Sequence, residues 1–354
     1  MQIITNDARI NKYLMLDQFY NPEDIIVFDI ETTGFTAENT TLYLIGCCYY
    51  HKGQWKITQW FNDDGVSETD IISLFMEFTK NYKYLLHYNG DGFDILYLQK
   101  KISRLKLDYS FDHIESIDLY KKVKGFKEIL HLDNLKQKSI EKFLGIDRLD
   151  KYTGGDLIKV YTDYLTNHSE KGKQLVLQHN YEDLEGLLYS TCLLSYTKLK
   201  AGCLTVQKMS VRDNRLLFSI NLEYSLPKRI TLGINDILIT GNKKEATINV
   251  PILTDELKFF FDDYKEYYYL PAEDMAVHKS VAKYVDKNYR EQAKKDNCYL
   301  RRKGHFISQI DDGILQGYKY NSKDKETYIE LADSFLKDID MLNAYARHII
   351  SKSI

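Results

Sequence analysis

Between residues 25 and 119 short strand-type runs give way to strand and helix in alternation, and few folds accommodate that order. IIVFDIETT (25–33) and LYLIGCCYY (42–50) are short β-branched or aromatic runs, KGQWKITQWF follows as a third strand, and HKGQ (51–54) reads as the hairpin turn. ETDIISLFMEFTKNY then places apolar residues at 71, 72, 74, 75 and 78, which is helical spacing. KYLLHY (83–88) returns to strand, ILYLQKKISRL (95–105) to helix, and a further strand lies near 114–119. Antiparallel-capable strands followed by strand–helix alternation predict an α/β domain, a mixed sheet flanked by helices. A helix over 134–144 ends at Gly145, a natural left-handed cap, and 172–200 reads as one long helix.

Beyond Gly202 the pattern changes to RLLFSINLEYSL, ITLGINDILIT and ATINVPIL, strand-type runs separated by turn residues such as GNKKE (241–245), with helices expected at 271–295 and 326–352. A chain of 354 residues is also long for one core. The expected organisation is an N-terminal extension (1–20), an α/β domain (21–202) and a smaller α+β domain with antiparallel sheet (203–354).

The formal charge of −3 argues against a uniformly basic nucleic-acid coat, while leaving local patches open. Residues 1–203 carry 24 Lys/Arg against 29 Asp/Glu, and residues 204–354 carry 24 against 22, so the acidic excess lies in the first half. Cys47, Cys48, Cys192, Cys203 and Cys298 are odd in number and form no CxxC pair, which suggests reduced thiols rather than a disulfide framework or zinc knuckle. No segment approaches the roughly 20 apolar residues of a membrane span, and the chain reads as cytoplasmic.

Within IVFDIETTGF, Asp29 and Glu31 stand one residue apart, so in a strand they share one side while Phe28 and Ile30 face the other. Adjacent carboxylates repel unless a cation joins them. FDIETTG resembles the first motif of the DEDD superfamily of exonucleases, which have an RNase H-like fold. HYNGDGFDILYL (87–98) looks like its second motif, with Asp94 as the acid at the start of a helix and Asp91 as a loop residue. LQHNYEDLEGL (177–187) resembles the third, with Asp183 as the acid. The superfamily's tyrosine branch has a Tyr four residues before that Asp, where this chain has His179; the histidine branch has a His five before, where this chain has Gln178. The branch is left open. Tyr181, two residues from Asp183, points off that face. SIDLY (116–120) and LKQKSIEKFLGIDRLDKYTGGDLIKVY (135–161) are further similar to the YprB-like RNase H-like family of bacteria.

This resemblance, over about residues 25–200, implies a metal-dependent 3′–5′ exonuclease. Asp29, Glu31, Asp94 and Asp183 would form an oxygen cluster suited to two Mg²⁺ or Mn²⁺ ions, which together stabilise the attacking and leaving oxygens of a phosphoryl displacement. His179 would orient or deprotonate the attacking water. Thr32 and Thr33 are candidate substrate contacts, Asn89 holds a terminal nucleotide or closes its loop, and Asp118 reads as a supporting carboxylate. In the second domain, Lys279, Lys283 and Lys287 recur at four-residue intervals and would line one basic helix face, with RRKGH (301–305) adding charge in a hairpin. Such a face would supply phosphate contacts to a single-stranded nucleic-acid end. An endonuclease, and a catalytically silent nucleic-acid-binding or scaffold protein, are the alternatives.

Overall fold

The alternating run IIVFDIET becomes the centre of a six-stranded sheet in the computed structural model, which describes residues 1–10 and 14–354. By internal packing the chain divides into two compact units, Met1–Thr197 and Lys198–Ile354.

The first unit contains β1 (Gln2–Asp7), β2 (Ile25–Thr32), β3 (Leu42–His51), β4 (Gln54–Phe61), α1 (Glu68–Thr79), β5 (Tyr84–His87), α2 (Asp94–Arg104), β6 (Glu115–Asp118), α3 (Leu119–Val123), α4 (Gln137–Leu144), α5 (Gly154–Asn167) and α6 (Glu170–Ser190). The sheet order is β1-β4-β3-β2-β5-β6. Strands β1 to β4 pair antiparallel, whereas β2, β5 and β6 run parallel. The region expected as an N-terminal extension thus adds an edge strand. β2 lies where antiparallel pairing gives way to parallel, the kind of switch point at which open α/β sheets hold ligands beyond their strand ends.

Both sheet faces are covered. Ile26, Phe28 and Ile30 pack with α1 and α2, and Phe28 stacks on Phe75 at 5.4 Å. On the other face Tyr43, Leu44 and Phe61 pack with Leu157, Tyr161 and Tyr164 of α5 and Val176 of α6. α4 ends at Gly145 with φ 80°, where a side chain would be strained. The helix expected to run to residue 200 is interrupted: a 3₁₀ turn at Thr191–Leu193 separates α6 from α7 (Leu194–Lys200). Hydroxyls of Ser190, Thr191 and Ser195 donate to carbonyls one turn back, a bonding pattern that bends helices.

The second unit is built from antiparallel three-stranded sheets: β7 (Leu204–Arg212), β8 (Arg215–Ile234) and β9 (Ile237–Pro251); β10 (Leu253–Phe260), β14 (Tyr299–Ser308) and β15 (Tyr328–Glu330); and β12 (Met275–His278), β11 (Tyr267–Leu270) and β13 (Glu291–Gln292). The β7–β8 and β8–β9 turns are Asp213-Asn214 and Asn235-Asp236, both residues of each at positive φ, the twist that suits two-residue hairpins. GNKKE is therefore not the turn; it lies inside β9, where the register with β8 shifts.

The expected helix over 271–295 is also overturned. Asp274, at φ 50°, closes a turn that pairs MAVH with YYYL, and only α8 (Lys279–Ala282) and a 3₁₀ turn at Lys287–Tyr289 are helical. Lys279, Lys283 and Lys287 consequently do not line one helix face. RRKGH sits within β14 rather than at a hairpin tip, and Arg301 and Arg302 pair with Glu256 (3.1 Å) and Glu330 (2.7 Å). Of the segment expected as a helix over 326–352, the start is β15, followed by α9 (Asp333–Leu336) and α10 (Ile339–Ser353); Asp338 caps α10 by accepting from Asp340 and Met341 N–H.

Candidate active site

Asp29 and Glu31 emerge near the end of β2 on the face toward α6, Asp94 opens α2 after β5, and His179 and Asp183 lie one turn apart on α6. Ligand atoms of Glu31, His179 and Asp183 all fall within 4.8 Å of one another. His179 Nε2 stands 3.3 Å from Asp183 Oδ2 and 3.7 Å from Glu31 Oε1. Glu31, Asp94 and His179 are only 8%, 7% and 5% exposed.

Burial of so many acids controls their protonation. Asp29 is pushed well above its ordinary range by desolvation, then by the charges of Asp183, Glu31 and Asp94, with the Asn180 amide pulling it back. Glu31 is raised by burial and by Asp183, against a hydrogen bond from Tyr43. Asp94 is pushed up to about 7 by desolvation, with repulsion from Asp118 and Asp183 adding to it and hydrogen bonds from its own backbone and that of Ile30 opposing it. A divalent cation would remove this penalty, and a donor set of carboxylate oxygens fits such an ion.

Several groups that hold the acids escape the sequence reading. Asn180, fully buried on α6, donates through Nδ2 to Asp29 Oδ2 at 2.9 Å and accepts from Gln59 Nε2 at 2.9 Å. The close approach of α6 depends on Gly46, the partner of Asp29 on β3: a Cβ there would sit 1.9 Å from Asn180 Oδ1. Tyr43 OH faces Glu31 Oε2 at 3.4 Å.

The α4–α5 connection supplies a second missed group. Arg148 pairs with Asp183 and Glu141, and its Nη2 is 2.5 Å from Glu141 Oε1. Glu141 itself lies over Gly186, where a Cβ would be 2.0 Å from Oε1. Asp150 Oδ2 is 2.6 Å from His179 Nδ1 and 3.0 Å from Lys138 Nζ. Glu182 holds this loop by accepting from Leu149 N–H (3.2 Å) and Asp150 N–H (2.9 Å). Burial pushes the Asp150 carboxyl up, but hydrogen bonds from Tyr152 N–H, Lys138 and His179 outweigh it and hold it below its ordinary value. An ionised Asp150 can only accept, so His179 Nδ1 donates to it, and Nε2 is the ring nitrogen turned toward Glu31 and Asp183. Position and charge in DRLD (147–150) were the available signals, but nothing in periodicity says that this loop folds back on α6.

The remaining sequence candidates are placed as follows. Thr32 Oγ1 donates to Gly34 O at 2.8 Å and Thr33 Oγ1 accepts from Thr41 N–H at 2.8 Å, so both hydroxyls are engaged in shaping the β2–β3 loop. Asn89, at φ 60°, turns the β5–α2 loop, and its N–H donates to Asp118 Oδ1 at 3.0 Å. Asp118 also caps α3, so this buried acid supports the loop that delivers Asp94. Asp91 accepts from Lys121 Nζ at 2.7 Å and is hydrogen-bonded by Ser116. Tyr181 OH turns away from the acids to Asp7 O at 3.0 Å. Lys279, Lys283 and Lys287 belong to the second unit.

Comparison with known proteins gives one family match and similarity to solved structures. No curated protein matches the sequence. Among solved structures, the family B DNA polymerase from the hyperthermophilic archaeon Pyrobaculum calidifontis is similar at 17% identity with a TM-score of 0.42, over 51% of this chain. The similarity covers 26% of the polymerase chain, so this chain spans about a quarter of that protein. Residues 26–189 match the RNase_H_2 family model of the RNase H superfamily, and with the mixed sheet and flanking helices described above this segment has an RNase H-like α/β fold.

Proposed function

We propose that this protein is a metal-dependent nuclease that hydrolyses phosphodiester bonds, removing nucleotides from the 3′ end of single-stranded nucleic acid. The observation that carries the reading is the convergence of acids from β2 and α6 on one buried imidazole, with Asp183 repelling the buried Asp94 carboxyl as well. The match of residues 26–189 to the RNase H superfamily supports nuclease chemistry. The 3′–5′ polarity and the finer likeness to YprB-like proteins rest on motif resemblance.

In this reading Asp29, Glu31, Asp94 and Asp183 hold two divalent ions, Mg²⁺ or Mn²⁺, which when bound supply positive charge to the phosphoryl group and to the attacking and leaving oxygens. The protein's own groups do the rest. Gln59 and Asn180 fix the Asp29 carboxylate, Tyr43 the Glu31 carboxylate and Arg148 the Asp183 carboxylate, so the cluster is oriented before substrate arrives. His179 Nε2 accepts a proton from the attacking water, and Asp150 both keeps the other ring nitrogen protonated and stabilises the cation that forms. Asn89 in the β5–α2 loop, and Thr32 and Thr33 at the end of β2, contact the terminal nucleotide.

The test is a product ladder from 3′- and 5′-labelled DNA and RNA with Mg²⁺, Mn²⁺ or chelator. Single nucleotides released from the 3′ end, only with metal, are expected. Cleavage of circular single strands would replace the exonuclease reading by an endonuclease; no cleavage of any substrate would refute the nuclease reading.

A further inference from the structure

The second unit carries a short face whose composition is costly for a bare surface. Within residues 279–290, Tyr284 is 83% exposed, Tyr289 66% and Val281 59%. The same stretch holds Lys279, Lys283, Lys287 and Arg290 against a single carboxylate, Asp286. Asp286 is turned to local use, capping the Lys287–Tyr289 turn through Asn288 N–H at 2.9 Å. Among the described residues neither Lys283 nor Lys287 has a carboxylate within ion-pair distance, and Lys279 reaches Glu266 only at 4.0 Å.

Cations and rings are interleaved here. Lys283 Nζ lies 4.9 Å from the Tyr284 ring centre, and Tyr268 on β11 is approached by Arg290 Cζ at 4.8 Å and Lys279 Nζ at 5.9 Å. Arg290 is anchored by donating to Ala282 O, which ties the α8 segment to the strand that follows. Breaking the chain into α8 and a 3₁₀ turn, rather than one helix, is what leaves Tyr284 and Tyr289 outward with the lysines among them.

We infer that this face, Tyr284 and Tyr289 with Lys283 and Lys287, is a stacking platform for single-stranded nucleic acid. Exposed rings offer π-faces to unpaired bases of any sequence, and cations without acidic partners offer their charge to the intervening phosphates. A duplex hides its base faces and would use only the cations. An anionic membrane would want a broader apolar face than one valine beside two tyrosines. The inference names the substrate class of the nuclease reading and rests on it for biological sense, but its binding test is independent of catalysis.

Binding of fluorescein-labelled dT and U oligonucleotides of 20 nucleotides to the full chain is measured by anisotropy in EDTA, where no hydrolysis occurs. Tyr284→Ala and Tyr289→Ala should each weaken binding roughly 5- to 150-fold, with Tyr284→Trp restoring it. Lys283→Gln and Lys287→Gln should each lower the slope of log affinity against log salt by about 0.7. Val211→Ala, an equally exposed apolar position elsewhere in the unit, should change nothing. Affinity and salt slope unaltered in all four platform variants, with unchanged melting temperatures, would overturn the inference. So would binding to vesicles containing phosphatidylserine in place of oligonucleotides. Oligonucleotide binding that depends on these residues, in a protein showing no hydrolysis with Mn²⁺, would uphold the platform and strike only the nuclease reading.

Discussion

Replacing Asp150 by asparagine removes one charge at nearly constant volume and disturbs which ring nitrogen of His179 holds the proton. Asp150 Oδ2 accepts from both His179 Nδ1 (2.6 Å) and Lys138 Nζ (3.0 Å), while Oδ1 accepts from Tyr152 N–H at 3.0 Å. An asparagine has one acceptor oxygen for these donors. Turned toward Tyr152, it presents its amide to His179, which moves the ring proton to Nε2, against Glu31 and Asp183; turned toward His179, it opposes the Tyr152 N–H. A hydrogen bond to a charged group contributes about 1.5–3 kcal/mol. At about 1.36 kcal/mol per factor of ten, its full loss in the transition state corresponds to roughly 10- to 150-fold in kcat. The wrong tautomer would take the loss toward the roughly 10⁴-fold seen when a triad aspartate becomes asparagine. The assay is turnover of a 3′-labelled single strand at saturating Mn²⁺, with ¹⁵N NMR of the ring in the metal-free protein to read the tautomer. Loss of kcat at nearly constant KM is expected, and no further loss when Asp150→Asn is added to His179→Ala, because both act through one ring. Wild-type turnover in Asp150→Asn beside a disabled His179→Ala would refute the positioning role.

Asp29→Asn should abolish hydrolysis, by removing a metal-binding charge, while leaving the far-ultraviolet circular dichroism unchanged; retained turnover would mean that the cluster does not serve catalysis. Metal-free protein should lose stability as pH rises. The Asp94 carboxyl, ordinarily at 3.8, is held at about 7 in the fold, so the folded state binds the proton more tightly and its advantage disappears between about pH 4 and 7. A fall of melting temperature across that window, smaller in Asp94→Asn and reduced by added Mn²⁺ with release of protons, is the expected record; a flat profile in EDTA would refute it. Gly46→Ala places a methyl on Asn180 and should destabilise the protein by about 1–3 kcal/mol in chemical denaturation while also lowering turnover. If adding Asn180→Ala relieves the instability but not the lost turnover, the Asn180–Asp29 bond is the functional part of that contact.

How much of this was readable from the chain follows from the range over which each signal acts. Strand alternation is local, so Asp29 and Glu31 could be set on the face opposite Phe28 and Ile30 before any coordinates, and the structure packs Phe28 and Ile30 against α1 and α2 while Asp29 meets Asn180 of α6. The i, i+4 geometry of a helix likewise put His179 and Asp183 side by side. The expectation failed at 271–295, where a helix carrying three lysines on one face was expected but pairing of MAVH with YYYL, a gain open only to strands, prevailed. Asn180, Gln59, Gly46, Arg148 and Asp150 belong to the part decided in three dimensions. Each acts across a large separation in sequence, 121 residues between Gln59 and Asn180 and 29 between Asp150 and His179, and its value comes from a hydrogen bond or a gap that exists only once α6 lies on the sheet. The acids announce themselves because buried charge is unusual in a strand, whereas the groups that orient them are ordinary polar residues until the fold brings them within reach.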